Sequence, residues 1–356
     1  MSYAIVSRYR AFLLRSLLAM LAAAVMFPSA RGGPLDHWTV TPAPPPPHST
    51  QPASTSNNKG IAFGNGQFVI FGEGETHSST DGIHWTTEFT NTCHHGVAFG
   101  NGRFVAVGAD TRTSTTGSGW TNIRPQIYSG STIWLRAIAF GEHKGRSLFI
   151  AVGDTGQILT SSNGIAWTKR NPGAIVPNPQ PYLQAVAYGK GRFVAVGDNS
   201  TIITSDNGGF TWTQRGIGTV NGTFAGVAYG NNKFVVVDAG ALFESADGTT
   251  WSAPIPVTGM KLSGIGYTDL PPKTFVAVGL TTGTVAHPPS AILASINGGP
   301  WTLKPAPTFT ELRDVEYGLN MLVAVGQGGA ILHSDKIPPP GKPPCIPSSR
   351  KPFGCK

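Results

Sequence analysis

Apolar and polar positions alternate along this chain in short bursts. Gln184-Ala-Val-Ala-Tyr-Gly189 is followed by Arg192-Phe-Val-Ala-Val-Gly197, then by Thr201-Ile-Ile-Thr-Ser205, a Gly-rich turn and Trp212-Thr-Gln. Each burst is rich in β-branched and aromatic residues and bounded by Gly, Asn or Asp, the pattern of strands joined by tight turns. The bursts are too short for helices, and no window sustains helical spacing. The first predicted strand of this unit recurs seven times: Gly60-Ile-Ala-Phe-Gly64, Gly96-Val-Ala-Phe-Gly100, Ala137-Ile-Ala-Phe-Gly141, Ala185-Val-Ala-Tyr-Gly189, Gly226-Val-Ala-Tyr-Gly230, Gly264-Ile-Gly-Tyr267 and Asp314-Val-Glu-Tyr-Gly318. Small residues alternate with bulky ones in it, which suits a crowded inner strand. The second strand recurs as Phe-Val-Ala-Val-Gly or a near variant. It is apolar on both faces and is expected to lie between neighbouring sheets.

Tryptophan keeps the same period. Trp38, Trp85, Trp120, Trp167, Trp212, Trp251 and Trp301 are each followed by Thr or Ser, and Trp134 alone falls outside the set. Repetition every roughly 35–50 residues marks a repeat architecture, and four strands per unit arranged radially make a β-propeller. The expected fold is all-β: a seven-bladed β-propeller of four-stranded antiparallel blades. The unit that begins at Arg313 lacks a Trp-Thr strand and runs into Ile337-Pro-Pro-Pro, whereas His37-Trp38-Thr39-Val40 belongs to no unit. That N-terminal strand, at about 35–40, is expected to complete blade 7 and so remove the exposed sheet edges. The chain then divides into a leader (1–30), a closing strand and Pro/Ser-rich linker (31–58), the propeller (59–336) and a Pro-rich basic tail (337–356).

The turn before each Trp has its own pattern. It reads Ser79-Thr-Asp81-Gly82, Ser161-Ser-Asn163-Gly164, Ser205-Asp-Asn207-Gly208, Ser245-Ala-Asp247-Gly248 and Ser295-Ile-Asn297-Gly298, with a degraded copy at Ser114-Thr-Thr116-Gly117. Asp-Gly and Asn-Gly are strong hairpin signals because both residues tolerate positive φ. The Asp or Asn side chain also hydrogen-bonds its own turn. This pattern resembles the Asp-box, or bacterial neuraminidase repeat, of sialidases, other glycosidases and non-enzymatic propellers. The full unit, from Val-Ala-Val-Gly through Ile-x-Thr-Ser to Asn-Gly-Gly-x-Thr-Trp, is similar to the propellers of photosystem II assembly and stability factors, over roughly residues 35–336. Most copies here are one residue shorter than the sialidase pattern, and several carry Asn for Asp. The resemblance implies a structural turn at Asp81, Asn163, Asn207, Asp247 and Asn297, and a protein-chaperoning role.

The ends set the compartment. Arg8, Arg10 and Arg15 precede an apolar run from Ser16 to Phe27 and a small-residue end at Ala30. A basic region, an apolar run of about 12 residues and small residues describe a secretory signal. The run is short of the roughly 20 residues that a stable membrane span needs. The expectation is a secreted or periplasmic protein without a transmembrane anchor, acting as a monomer. In that compartment Cys345 and Cys355, which bracket the tail, are expected to form a local disulfide. Cys93 is expected to be a free, buried thiol. It stands beside His94 and His95, but neighbouring residues on a strand face opposite ways, so no metal site is expected.

Charge narrows the function. The formal net charge is +8. Arg8, Arg10, Arg15 and Arg31 lie in or next to the leader, and Lys342, Arg350, Lys351 and Lys356 in the tail. Without these eight, the basic residues equal the 18 acidic ones. A near-neutral propeller argues against nucleic acid, whose readers carry a basic face. No nucleophile elbow, phosphate loop or metal motif is present, so no catalytic residue and no cofactor is assigned. A glycosidase needs two carboxylates about 5–10 Å apart; Asp314 and Glu316 share one strand face but are a single pair. The remaining constellation is the residue just before each first strand: Lys59, His95, Arg136, Gln184, Ala225, Ser263 and Arg313. A radial fold converges these on one channel rim, where Lys59, His95, Arg136, Gln184 and Arg313 are expected to bind a protein or an acidic or glycan ligand. The reading is a non-enzymatic binding or assembly scaffold, with a glycan-binding or sialidase-like hydrolase as the alternative.

Overall fold

The computed structural model describes residues 33–41, 57–123, 134–171, 173, 181–216, 222–283 and 289–338. The leader, most of the linker and the tail with Cys345 and Cys355 lie outside the described residues. Within them the chain is all-β, with only two three-residue 3₁₀ turns, Asp154–Gly156 and Gln327–Gly329. The strands hydrogen-bond into antiparallel sheets arranged as a β-propeller.

The expected count of seven blades is corrected. The strands form six sheets, five of four strands and one of six. The six-stranded sheet combines the first two sequence units, from Asn58–Gly64 to Thr121–Ile123. Its cause is local. Thr86–Gly100 is one uninterrupted strand, pairing with Gln67–Ser79 through its first half and with Arg103–Gly108 through its second. Between later units a connecting segment separates the outer strand of one from the inner strand of the next. Here Thr90-Asn-Thr-Cys93 offers neither Gly nor Pro to end the strand.

The last sheet closes across the chain termini. Trp38–Thr41 adds to Ile331–Ser334, with Trp38 opposite Ser334 and Thr41 opposite Ile331. Trp38 is buried, and its indole N–H donates to the Leu35 carbonyl at 3.1 Å. Lys304 of the preceding sheet pairs with Asp36 at 2.8 Å, so the closing strand is anchored on two sides.

The core lies between the sheets. Val194, Val196 and Ile202 of one sheet pack with Val227, Phe234, Val236 and Phe243 of the next, all essentially without exposure apart from the edge of Val227. Fully burying each such side chain contributes roughly 1.5–3 kcal/mol. The wholly apolar second strands are therefore central, as their sequence requires. The inner strands approach one another more closely still. A Cβ on Gly189 would fall inside the Tyr229 ring of the next unit, and one on Gly60 would lie 2.9 Å from the His95 carbonyl. This explains the alternation of small and aromatic residues in the first strand of every unit. Seven such inner segments surround a channel, two of them supplied by the six-stranded sheet.

Candidate functional site

Six of the seven inner strands are bent where they meet one mouth of the channel. The pairing register shifts at Asn58/Gly60, His94/Gly96, Leu135/Ala137, Leu183/Ala185, Leu262/Gly264 and Leu312/Asp314. In each case one extra residue is left unpaired: Lys59, His95, Arg136, Gln184, Ser263 and Arg313. A β-bulge of this kind turns its side chain away from the sheet face. Only Ala225 sits in a strand without the shift. All seven line one open cavity of about 760 Å³, so the structure does bring the sequence-selected rim together.

The rim cations are not free. Lys59 pairs with Glu73 at 3.0 Å, and Asn57 holds the other Glu73 oxygen at 2.9 Å. The Lys59 hydrogen bond holds the Glu73 carboxyl below its usual range. The Arg136 guanidinium binds Asp154 and donates to the Gln184 side chain at 3.3 Å, and Gln184 in turn donates to Asp198 at 2.9 Å. Glu311 takes four donors: Lys261 at 3.0 Å, Ser263 at 3.0 Å, Arg313 at 3.1 Å and Gln327 at 2.8 Å. Burial pushes the Glu311 carboxyl up, but these donors and charges prevail and it is held low. His95 is driven the other way. Burial, with the Lys59 and Arg136 charges, lowers it to about 4, so it is neutral at physiological pH. A ring of uncompensated positive charge, the basis for expecting an acidic ligand, is therefore not what the residues build.

The neutralising carboxylates follow a sequence signal of their own. Glu73, Asp154 and Asp198 each come directly after the glycine that closes the apolar run of the second strand. The bulge lets that position face the rim residue of its own unit. Two aromatic residues complete one arc of the mouth. The Trp134 ring meets His95 edge-on at 5.5 Å, and Arg136 lies 4.9 Å above the Tyr182 ring. Tyr182 remains 42% exposed. Both stand two residues before a rim position, a regularity that the Trp repeat concealed because Trp134 is not part of it.

Asp314 and Glu316 replace residues that are Gly or Ala in the other six inner strands. Both line the channel. One Asp314 oxygen accepts the Ile61 N–H at 3.0 Å and the other the Val315 N–H at 2.9 Å. Crowding by protein raises both carboxyls, Asp314 to about 7 despite those two donors, and Glu316 to about 8 with Asp314 adding to the effect. Their accessible edge opens only on the channel, where no cation among the described residues pairs with either. Raised carboxyls in a cavity are a recurring property of functional sites.

The turn residues lie at the opposite end. In one sheet Gly197 and Thr201 stand beside Leu183 at the mouth, whereas Ser205 stands beside Phe193 and Tyr188 at the far end. Asp81 accepts the N–H groups of Ile83 and His84 at 2.8 and 2.7 Å, and Asp247 those of Thr249 and Thr250 at 2.8 Å. Asn163 accepts from Ile165 and Ala166 at 2.9 Å, and Asn207 from Thr211 at 3.0 Å. Asn297 differs: it adopts φ 52° itself, and its N–H reaches the Lys273 carbonyl at 2.6 Å. These positions are bound up in their own backbone. Cys93 is a free thiol, half-buried rather than buried as expected, and no group of three metal-ligating side chains occurs among the described residues.

No protein-family model and no curated protein matches the chain. Solved structures do. YCF48 bound to a D1 peptide superposes with a TM-score of 0.62 at 15% identity, over 84% of this chain and 97% of that one. YCF48 from Cyanidioschyzon merolae gives 0.60 at 15% identity, over 84% and 98%. A catalytically inactive virginiamycin B lyase from Staphylococcus aureus with quinupristin gives 0.64 at 12% identity, over 84% and 99%. At such identities these likenesses establish what the strand pairing already displays, that the chain is a β-propeller.

Proposed function

We propose that this chain is an exported, monomeric, non-enzymatic scaffold that docks a protein segment at the channel mouth around Lys59, His95, Arg136, Gln184 and Arg313. The observation that carries this reading is the bulge repeated in six inner strands, which turns six side chains toward one concave site. Sites of this kind, with a few convergent polar groups, are where ligands bind by default. Trp, Tyr and Arg are the residue types that dominate interface energetics, and one arc of this mouth holds Trp134, Arg136 and Tyr182. A propeller of the same fold, YCF48, holds a D1 peptide, which supports a peptide as the bound segment. Export rests on the basic, apolar and small-residue order of residues 1–30, and the turn pattern supports kinship with Asp-box propellers. Affinity capture by the full chain tests the reading. The wild type is expected to retain a protein that the Trp134→Ala/Tyr182→Ala variant does not; equal retention by both refutes the mouth as the docking site.

A second reading, a glycan-binding or sialidase-like hydrolase, is favoured by one observation, the raised Asp314 and Glu316 carboxyls in the channel. Turnover of an aryl glycoside or sialoside that is abolished by Glu316→Gln establishes that reading and overturns the scaffold.

A further inference from the structure

The charge of the mouth has the opposite sign to the one its cations suggest. Four cations, Lys59, Arg136, Lys261 and Arg313, are each held by a carboxylate, Lys261 and Arg313 sharing Glu311. Four further carboxyl groups pair with no cation among the described residues: Asp198, held by Gln184, Asp269 on the cavity wall, and Asp314 and Glu316 inside the channel. The cavity therefore satisfies its own positive charge and holds carboxyl groups in excess, of which Asp314 and Glu316 keep protons near neutral pH that an entering cation would release. Complementary potentials are what select a partner and suppress wrong ones, and an anionic segment would have to displace carboxylates already in place.

Beside the cavity two aromatic side chains flank the rim residues His95 and Arg136. Trp134 and Tyr182 present aromatic surface beside the neutral His95, and a lysine or arginine stem lies well on such surface. A cation over an exposed aromatic face gains about 0.5–1 kcal/mol, and more when desolvated. A metal ion does not fit, because no three ligating side chains converge among the described residues.

We propose that the channel mouth docks a basic peptide segment, its chain lying against the Trp134–Tyr182 arc and a lysine or arginine head entering the channel toward Asp314 and Glu316. This rests on the mouth being the docking site and adds the chemistry of the partner. The ammonium or guanidinium supplies the hydrogen-bond donors and the positive charge that the two channel carboxyls lack. The rim pairs stay intact and act as a polar collar around the entering side chain.

The test uses the full chain and two fluorescein-labelled decapeptides of Gly and Ser, one carrying three lysines and the other three glutamates, titrated by fluorescence anisotropy at 0.15 M salt. The lysine peptide is expected to bind at least about tenfold more tightly than the glutamate peptide, a difference of roughly 1.4 kcal/mol. Trp134→Ala/Tyr182→Ala and Asp314→Asn/Glu316→Gln are each expected to weaken it several-fold, whereas Phe210→Ala at the far end leaves it unchanged. The first pair is at the surface and the second is close to isosteric, so a loss in either with a cooperative melting transition retained reports the site. Equal or tighter binding of the glutamate peptide, no binding of the lysine peptide, or binding unaltered in both double variants overturns the proposal. If the wild type still captures a protein that Trp134→Ala/Tyr182→Ala loses, the docking site stands and only the basic character of its ligand fails.

Discussion

The Asp314 carboxylate accepts the backbone N–H of Ile61 at 3.0 Å, and this bond joins the inner strand of the last sheet to that of the first. Ile61 belongs to the strand Asn58–Gly64 and Asp314 to Leu312–Gly318, so the contact spans the seam where the ring meets itself. Elsewhere the inner strands are kept close by Gly and Ala. At this seam a carboxyl group fills the space and satisfies an N–H on the open edge of the inner strand.

That contact gives stability a defined pH dependence. Asp314 and Glu316 are raised to about 7 and about 8, from ordinary values near 4. Between those limits the folded chain holds protons that the unfolded chain releases, so stability falls as pH rises. The contribution is full below about pH 4 and lost above about pH 8, with a magnitude on the order of a few kcal/mol. Asp314→Asn/Glu316→Gln keeps the volume and removes the titration, while the Asn amide retains one of the two Asp314 acceptors. Its melting temperature relative to the wild type's is expected to rise steadily from pH 4 to pH 9. Parallel melting curves for the two proteins across this range contradict the assignment.

Two histidines act at the acid end. His77 is fully buried and His95 partly so, and burial lowers both to about 4. They fold neutral, and their contribution is present above pH 6.5 and lost as pH falls toward 4. His77→Gln is expected to flatten the melting-temperature profile between pH 6.5 and 4; a profile unchanged in this range excludes His77 as a source of acid lability.

Closure by the N-terminal strand is a stability claim. Trp38→Ala removes a buried indole from the cluster that also holds Leu312, Leu322 and Leu332, a loss of roughly 3–5 kcal/mol. Deleting residues 31–42 is expected to lower the melting temperature of the whole domain in one cooperative step. A truncated chain that melts like the full one places Trp38–Thr41 outside the fold's cooperative unit.

The turn residues separate by mechanism. Asp247→Ala strands the N–H groups of Thr249 and Thr250, and is expected to cost about 1–2 kcal/mol in chemical denaturation. Asn297 instead occupies left-handed backbone, so Asn297→Gly is expected to be neutral or stabilising and Asn297→Ala to cost about 1 kcal/mol. Equal effects of alanine and glycine at Asn297 contradict this account. Neither Asp247 nor Asn297 variants are expected to alter binding, since both lie at the end opposite the mouth.

The strands and their radial order were legible in the sequence because burial imposes them directly. Phe193-Val-Ala-Val is apolar throughout because sheets cover both its faces, and Gly189 is small because Tyr229 lies on it. The closing strand was legible too, as Trp38-Thr39 is the Trp-Thr strand that the last unit lacks. The sheet count was not, because the strand continues past a bulge at Thr90–Thr92 and pairs again from Cys93, where no repeat signal marks continuity or a break. Site placement was legible and site charge was not. The repeat located Lys59, Arg136 and Arg313 at one rim, but their partners Glu73, Asp154 and Glu311 face them only because of bulges, which leave no mark in composition. Reading the residue after each second-strand glycine, Glu73, Asp154 and Asp198, would have supplied most of the missing carboxylates.

The account stands on the channel mouth as the face that meets a partner. The most direct measurement places a photo-crosslinking amino acid at Tyr182 in the mouth, and separately at Phe210, 51% exposed at the far end, in the full chain expressed in its native host. A discrete protein adduct from position 182, absent from position 210 and competed by the lysine peptide, is the predicted result. An adduct from position 210 alone, or from both positions equally, contradicts it.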